Sequence, residues 1–403
     1  MCHGRRLTLR AQSGDKATMP PSDPIVVDAD GHVCEPPDLW ERQLPARMRD
    51  RALRLRWNPE TGYDEAWMED WCITDRGLVG LGNAGTSFAD LGRGRRYADG
   101  HRAGFEARTR LEVLDAEGID VAVLYGGLAL SLPAIHDPEL AAWHCRVYND
   151  WVADFCAADP ARLHAAAAIP LQDPTAAIAE AQRASGLGLC AAFTRPNPLN
   201  PHGRPLHDPA HEPVWAALAE LGMPLAFHPA GLWDMPGTSR AMAPLMAPGT
   251  HHAVILFFDQ YMTLANLVYA GVLERHPTLK LAVLECGGGW IAHWMDRLDE
   301  FTESYGWQLL GLSLKPSEYF RRQGFVSFDP GEHTMGALAA LVGADTMIWA
   351  SDFPHSDAKY PGVVDELREH AGDLAPAARA QLLGGNALRL YGIDAGIAGR
   401  VAS

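Results

Sequence analysis

The sequence predicts an α/β protein built as a (β/α)8 TIM barrel, complete or distorted, with a large insertion after the first strand and extra helices at the C-terminal end. Three observations predict it. Eight short apolar runs alternate with longer amphipathic windows along most of the chain, the pattern of parallel strands joined by crossover helices. The runs stay apolar instead of alternating, as strands covered on both faces do. The 403 residues exceed a typical single domain yet fit one barrel with insertions, so length allows one or two domains.

In chain order the strand candidates are IVVDAD (25–30), VAVLYG (121–126), LHAAAAI (163–169), LCAAFT (189–194), PLAFH (224–228), KLAVLE (280–285), FVSF (325–328) and TMIWAS (346–351). Helical windows lie between them at 138–157, 173–185, 211–221, 252–275, 290–305 and 331–342. Asp173 reads as an N-cap with Pro174 at the first helical position. Residues 359–393 supply terminal helices that pack outside the barrel.

Two regions break the rhythm. Residues 33–101 are rich in Gly, Arg and aromatic residues, with Trp57, Trp67 and Trp71 close together. Inserted after the first strand, this stretch would overhang the C-terminal rim, where barrel active sites lie, and is predicted to be a lid or interface flap. Residues 229–249 form a Pro- and Met-rich loop after the fifth strand, of a length that is usually functional or mobile. The first 24 residues turn polar after Leu9 and read as a disordered leader, not a secretory signal; 25–393 read as the barrel domain and 394–403 as a tail.

Composition narrows the function classes. Hydrophobic residues at 47% and charged residues at 21% can fill a large core. Lys and Arg total 34 against 50 Asp and Glu, and the net charge of −16 repels a phosphate backbone, which argues against nucleic-acid binding. No run approaches the roughly 20 apolar residues needed to cross a bilayer, so no membrane association is expected. The seven cysteines are an odd number without a Cys-x-x-Cys pair, which fits reduced thiols in a cytoplasmic protein.

Asp30 and His32, two apart on an extended strand, project from the same side. His228 ends the fifth strand and Asp352 follows the eighth, which places both at the same rim. Two carboxylates and two imidazoles suit one divalent ion, zinc or manganese, with a coordination position open for water or substrate. Taken singly each is weak, since Asp-x-His is a common pair and a strand-ending His is often a hydrogen-bonded rim residue. Three unrelated segments, each with a ligand-type residue just beyond an apolar strand, carry the reading together.

Around these lie further candidates. Glu285 precedes Gly287, Gly288 and Gly289, and desolvation there would raise its pKa enough for acid or base duty; the bland alternative is a Glu orienting rim side chains. His355, three residues after Asp352, either contacts substrate, supports Asp352 or faces solvent. Arg195, in FTRPNP, has a fork suited to a substrate carboxylate, with a structural ion pair as its alternative. His251 and His252 follow the mobile loop, and one of them could enter the pocket as a substrate contact. Glu35 reads as outer support or a loop anchor, His293 as packing, Cys286 as inert packing, and the tryptophans as a substrate enclosure or as core. There is no Gly-x-Ser-x-Gly elbow and no phosphate-binding Gly-rich loop.

The stretches VVDADGHVCEPPDLW, PLAFHPAG, LAVLECGGGWIAHWMDRLDEF, SDFPHSD and GNALRLYGI resemble the metal-dependent amidohydrolase-related proteins grouped with aminocarboxymuconate semialdehyde decarboxylase, over residues 25–393. The resemblance implies a barrel with one divalent ion, His228 and Asp352 in ordinary metal positions, and a homodimer. Two departures stand out. The usual first pair is His-x-His, or Glu-x-His in some decarboxylases, whereas this chain has Asp30-x-His32; and Glu285 stands where many relatives carry a His. The expected function is metal-dependent carbon–carbon bond cleavage, nonoxidative decarboxylation of a small carboxylate, with Asp352 and Glu285 handling protons. The alternatives are a hydrolase using metal-activated water and a metal-stabilised barrel that binds a ligand or partner without turnover.

Overall fold

The computed structural model describes residues 24–74, 77–196, 204–230, 256–306 and 311–394. Its eight barrel strands are β1 (Val27–His32), β5 (Val121–Tyr125), β6 (Leu163–Ala168), β7 (Ala191–Thr194), β8 (Leu225–Phe227), β9 (Leu281–Val283), β10 (Gly324–Phe328) and β11 (Met347–Trp349), and β2 (Arg54–Asn58), β3 (Tyr63–Met68) and β4 (Trp71–Thr74) form a separate sheet. The eight are parallel and ordered as in the chain, and each coincides with one of the predicted runs. Their residues are buried on both faces apart from His164, which is why the runs carry no alternation.

The barrel closes between its first and last strands. His32 N donates to Phe353 O at 2.8 Å, and Asp352 N donates to Asp30 O at 3.1 Å. The terminal helices seal this seam from outside: Trp349 Nε1 donates to Leu383 O at 2.9 Å, and the Tyr391 hydroxyl donates to Ala29 O at 2.8 Å.

The crossover helices start where short polar side chains cap them. Asp137 accepts from Glu139 N and Leu140 N ahead of the helix Pro138–Cys156, and Asp173 accepts from Thr175 N ahead of Pro174–Gly186. Two helical predictions need correction. The window 252–275 is divided into Leu256–Tyr269 and Val272–Arg275 by Gly271, whose φ of 74° lies in the left-handed region. The window 331–342 becomes helical only at Met335, because Glu332 is engaged instead in accepting from Gly288 N and Asp329 N, both at 2.9 Å.

The insertion contains the antiparallel sheet β2-β3-β4. Its apolar residues Trp40, Leu44, Met48, Leu53, Ala66 and Met68 are buried in the same core as the barrel. Leu53 N donates to His144 Nε2 at 3.0 Å, and Trp40 Nε1 donates to His144 O at 3.1 Å, which fastens the insertion to the helix Pro138–Cys156. At the C-terminal rim, Ser356 N donates to Gly80 O at 2.7 Å and Ala84 N to Pro354 O at 2.9 Å. Among the described residues no helix is long and apolar enough to cross a membrane. The leader before Pro24, the tail beyond Asp394 and the loop from Gly231 to Gly249 lie outside the described residues.

Candidate metal centre

Four strands deliver the candidate side chains to one end of the barrel. Asp30 and His32 are the closing residues of β1, His228 follows β8, Glu285 lies two residues past β9, and Asp352 three past β11. Glu285 and Asp352 both adopt left-handed backbone, φ 47° and 56°, a conformation non-glycine residues rarely take and one that recurs where a site dictates the turn.

Ligand atoms of Asp30, His32 and His228 all lie within 4.8 Å of one another, and all three residues are buried. His32 Nε2 is 3.6 Å from Asp30 Oδ1, His228 Nε2 is 3.5 Å from Asp30 Oδ2, and the two Nε2 atoms face each other at 3.1 Å. His32 Nδ1 donates to Gly126 O at 3.0 Å and His228 Nδ1 to Pro229 O at 2.8 Å, so each ring's Nε2 keeps its lone pair. Among the described residues neither Asp30 oxygen has a hydrogen-bond partner. Two imidazole lone pairs and an unpartnered buried carboxylate converging on one point repel one another unless a cation lies between them, so this donor set fits a divalent ion.

Asp352 Oδ1 lies 3.1 Å from His32 Nε2 and 2.9 Å from His355 Nδ1. His32, Asp352 and His355 therefore make a second trio, but it shares His32 Nε2 with the first. One lone pair serves one ion, so the two trios describe a single centre. His355 also stacks on His32, with ring centroids 3.9 Å apart.

The electrostatics follow from burial without a counter-charge. Burial, then the Asp352 and Asp28 charges, hold the Asp30 carboxyl well above its usual range. Burial lowers His32 to about 4 and, together with His32, lowers His228 well below the ordinary value, which keeps both imidazoles neutral and able to ligate. Burial also pushes Asp352 up, but His355 and His32 outweigh it and hold that carboxyl low; the same Asp352 charge raises His355 against the effect of its own burial. Glu285 is raised well above the carboxylate range by burial and by Asp352 and Asp30, and its Oε2 lies 3.4 Å from His228 Nδ1.

A cavity of about 500 Å3, within the range of small-molecule sites, opens onto the carboxyl-bearing members of this group. Its wall includes Asp30, Glu285 and Asp352 with Asp329, Asp357 and Lys359; the sequence prediction named none of the last three, although Asp329 directly follows the run FVSF and Asp357 closes SDFPHSD. Glu35 accepts from Leu128 N at 2.8 Å and Ala129 N at 3.0 Å, and so anchors the turn whose Gly126 carbonyl orients His32.

Other predictions turn out differently. Arg195 is buried at the end of β7 and is not part of the described wall of this cavity, so the expected substrate contact gains no support from it. His251 and His252 lie outside the described residues. His293, expected to pack, is exposed on the helix Ile291–Tyr305. Trp57 lies under Arg96, Trp67 under Arg56, and Trp71 stacks on His136. Cys286, expected as inert packing, is half-buried and lines the cavity, with its thiol pKa pushed up chiefly by desolvation.

Residues 27–393 match the model of the family described as Amidohydrolase. The chain belongs to that family. It is similar to the gamma-resorcylate decarboxylase of Rhizobium sp. (strain MTP-10005), 28% identical over 308 residues that cover 71% of this chain and 87% of the relative. Among solved structures it resembles an amidohydrolase from Mycobacterium avium subsp. paratuberculosis K-10, with a TM-score of 0.76, 23% identity and coverage of 92% of this chain and 99% of the other. A 5-carboxyvanillate decarboxylase from Novosphingobium aromaticivorans, solved with bound manganese, superposes with a TM-score of 0.66 at 22% identity, covering 94% of this chain and 100% of the other.

Proposed function

We propose that this protein cleaves a carbon–carbon bond in a metal-dependent, nonoxidative decarboxylation of a small aromatic carboxylate. The observation that carries the proposal is the meeting of Asp30, His32 and His228 around one point, beside a cavity that Asp30, Glu285 and Asp352 line. The gamma-resorcylate relative and the manganese-bound carboxyvanillate decarboxylase support the reaction class.

Asp30, His32, His228 and Asp352 would hold the ion, zinc or manganese. Bound there, a divalent cation supplies a Lewis acid that fixes and polarises a substrate oxygen. Glu285, whose desolvation favours the protonated form, would deliver a proton to the ring carbon as the bond to the carboxyl group breaks. The electron pair of that bond stays on the carbon and is taken up by the proton, carbon dioxide leaves, and Glu285 recovers its proton from solvent. Asp352, whose carboxyl is held low, favours the protonated form of His355 beside it.

One observation favours a second reading. Glu285 Oε2 lies 3.4 Å from Nδ1 of His228, where its ionised form would be placed to take a proton from an attacking water, as a hydrolase requires, at a position for which the resemblance implies an imidazole. Two measurements separate the routes: carbon dioxide release from a panel of hydroxybenzoates, and oxygen-18 incorporation from labelled water. Label in the product without carbon dioxide would overturn decarboxylation in favour of hydrolysis. Absence of turnover by either route, with the ion bound, would favour a binding protein.

A further inference from the structure

β1 and the turn after β11 supply Asp30, His32 and Asp352 to the candidate centre, and main-chain bonds and a buried polar cluster join the two segments. The cluster starts at Asp28, whose Oδ1 accepts from Ser351 N at 2.9 Å and whose Oδ2 accepts from the Ser351 hydroxyl at 2.6 Å, 323 residues apart in sequence. The Ser351 hydroxyl oxygen accepts in turn from Phe353 N at 3.1 Å. Phe353 O then takes His32 N at 2.8 Å and Arg110 Nη2 at 3.1 Å. Asp28, Ser351 and Arg110 are all buried.

Both neighbours of Asp352 are thus pinned to β1 while Asp352 itself holds a left-handed φ of 56°. Such backbone persists where the surroundings over-determine it. Gly31 has its reason here as well. A Cβ at that position would lie 2.7 Å from both Arg110 Nη2 and Asp28 Oδ2, so no side chain fits between them. Arg110 Nε and Nη1 have no hydrogen-bond partner among the described residues, and the adjoining space of about 10 Å3, lined by Asp28, Arg110 and Ser351, matches one water molecule.

We infer that Asp28, Ser351 and Arg110 form a positioning clamp that sets the distance between Asp30 and His32 on one side and Asp352 on the other, and thereby tunes the affinity of the centre for its ion. Ser351 also lines the cavity, so the metal affinity, measured without substrate, is what reports the clamp's action through the backbone of β1 and of the Ser351–Phe353 turn. The clamp rests on the metal reading given above.

The experiment titrates wild-type protein, stripped of metal, with zinc alone and with manganese alone against a competing chelator, and follows thermal unfolding of the metal-free forms. Ser351→Ala and Asp28→Asn are compared with His228→Ala and with Gln323→Ala. Gln323, itself buried, donates two bonds at 2.8 Å, to His276 O and Leu279 O, just before β9 and β10 and so at the other end of the barrel. Ser351→Ala and Asp28→Asn are expected to weaken ion binding 10- to 100-fold, the usual effect of removing outer support from a metal site. Gln323→Ala is expected to lower the unfolding temperature with unchanged affinity. Ser351→Ala leaves no charge buried alone and answers the question by itself should Asp28→Asn not fold. Binding that His228→Ala abolishes but Ser351→Ala leaves at the wild-type value would overturn the clamp alone. A wild-type protein that takes up neither ion would overturn the metal reading and the clamp with it.

Discussion

The Nε2 atoms of His32 and His228 lie 3.1 Å apart although each ring already commits its Nδ1 proton to a main-chain carbonyl. Two lone pairs at that distance, with a carboxylate beside them, call for a cation. One divalent ion per chain is expected to bind and to raise the unfolding temperature, by about 3 kcal/mol of stability at a hundredfold excess over its dissociation constant. His228→Ala should remove both the stoichiometric ion and the thermal shift, measured by metal analysis and calorimetry.

The proposed reaction takes its proton from Glu285, whose pKa desolvation and the neighbouring Asp352 and Asp30 charges raise. Glu285→Gln is expected to lower turnover by about 10^2- to 10^4-fold, the span of a general acid or base, while the ion stays bound. Single-turnover rates paired with metal analysis check this; unchanged turnover with metal retained would leave Glu285 a purely structural role.

His144 makes stability depend on pH. Its Nδ1 donates to Leu140 O at 2.8 Å, its Nε2 accepts from Leu53 N at 3.0 Å, and burial lowers its pKa from 6.5 to about 4. The folded protein binds this proton less readily than the unfolded chain, so the contribution is fully present above pH 6.5 and is lost as pH falls through 4. The loss amounts to at most about 3 kcal/mol. His144→Gln, which cannot take up the proton, should flatten this part of the profile in urea unfolding at pH 7, 5.5 and 4.5.

Gly288 sits against the Phe328 ring so closely that a Cβ would come within 2.2 Å of it. Phe328 ends β10 and is fully buried, so the ring has no room to retreat. Gly288→Ala should cost about 1–3 kcal/mol of stability as overpacking does, and should displace the turn that holds Glu285. Denaturant melts with turnover measured in parallel test both effects; a fully stable variant would show that the turn can adjust.

Much of the candidate site was legible in the chain because its residues stand immediately after apolar runs. A strand's end is a local fact, and in a parallel barrel all such ends share one rim, so Asp30, His32, His228, Glu285 and Asp352 could be grouped before any coordinates. Arg195 was legible as a rim residue but not as a buried one, since burial depends on what later segments lay over it. The window 252–275 kept its apolar period across Gly271, and periodicity carries no sign of a single left-handed residue.

The order of residues along the chain determined the parallel barrel and the kinds of side chain at its mouth, since hydrophobic period and strand-ending residues are properties of short segments. Tertiary structure alone decided which nitrogen of each imidazole faces inward, through the carbonyls of Gly126 and Pro229. It also decided the partnership of Asp28 with Ser351, formed only when the first and last strands meet. Closing a barrel brings together groups that no local pattern relates, and the fine geometry of the centre is set there.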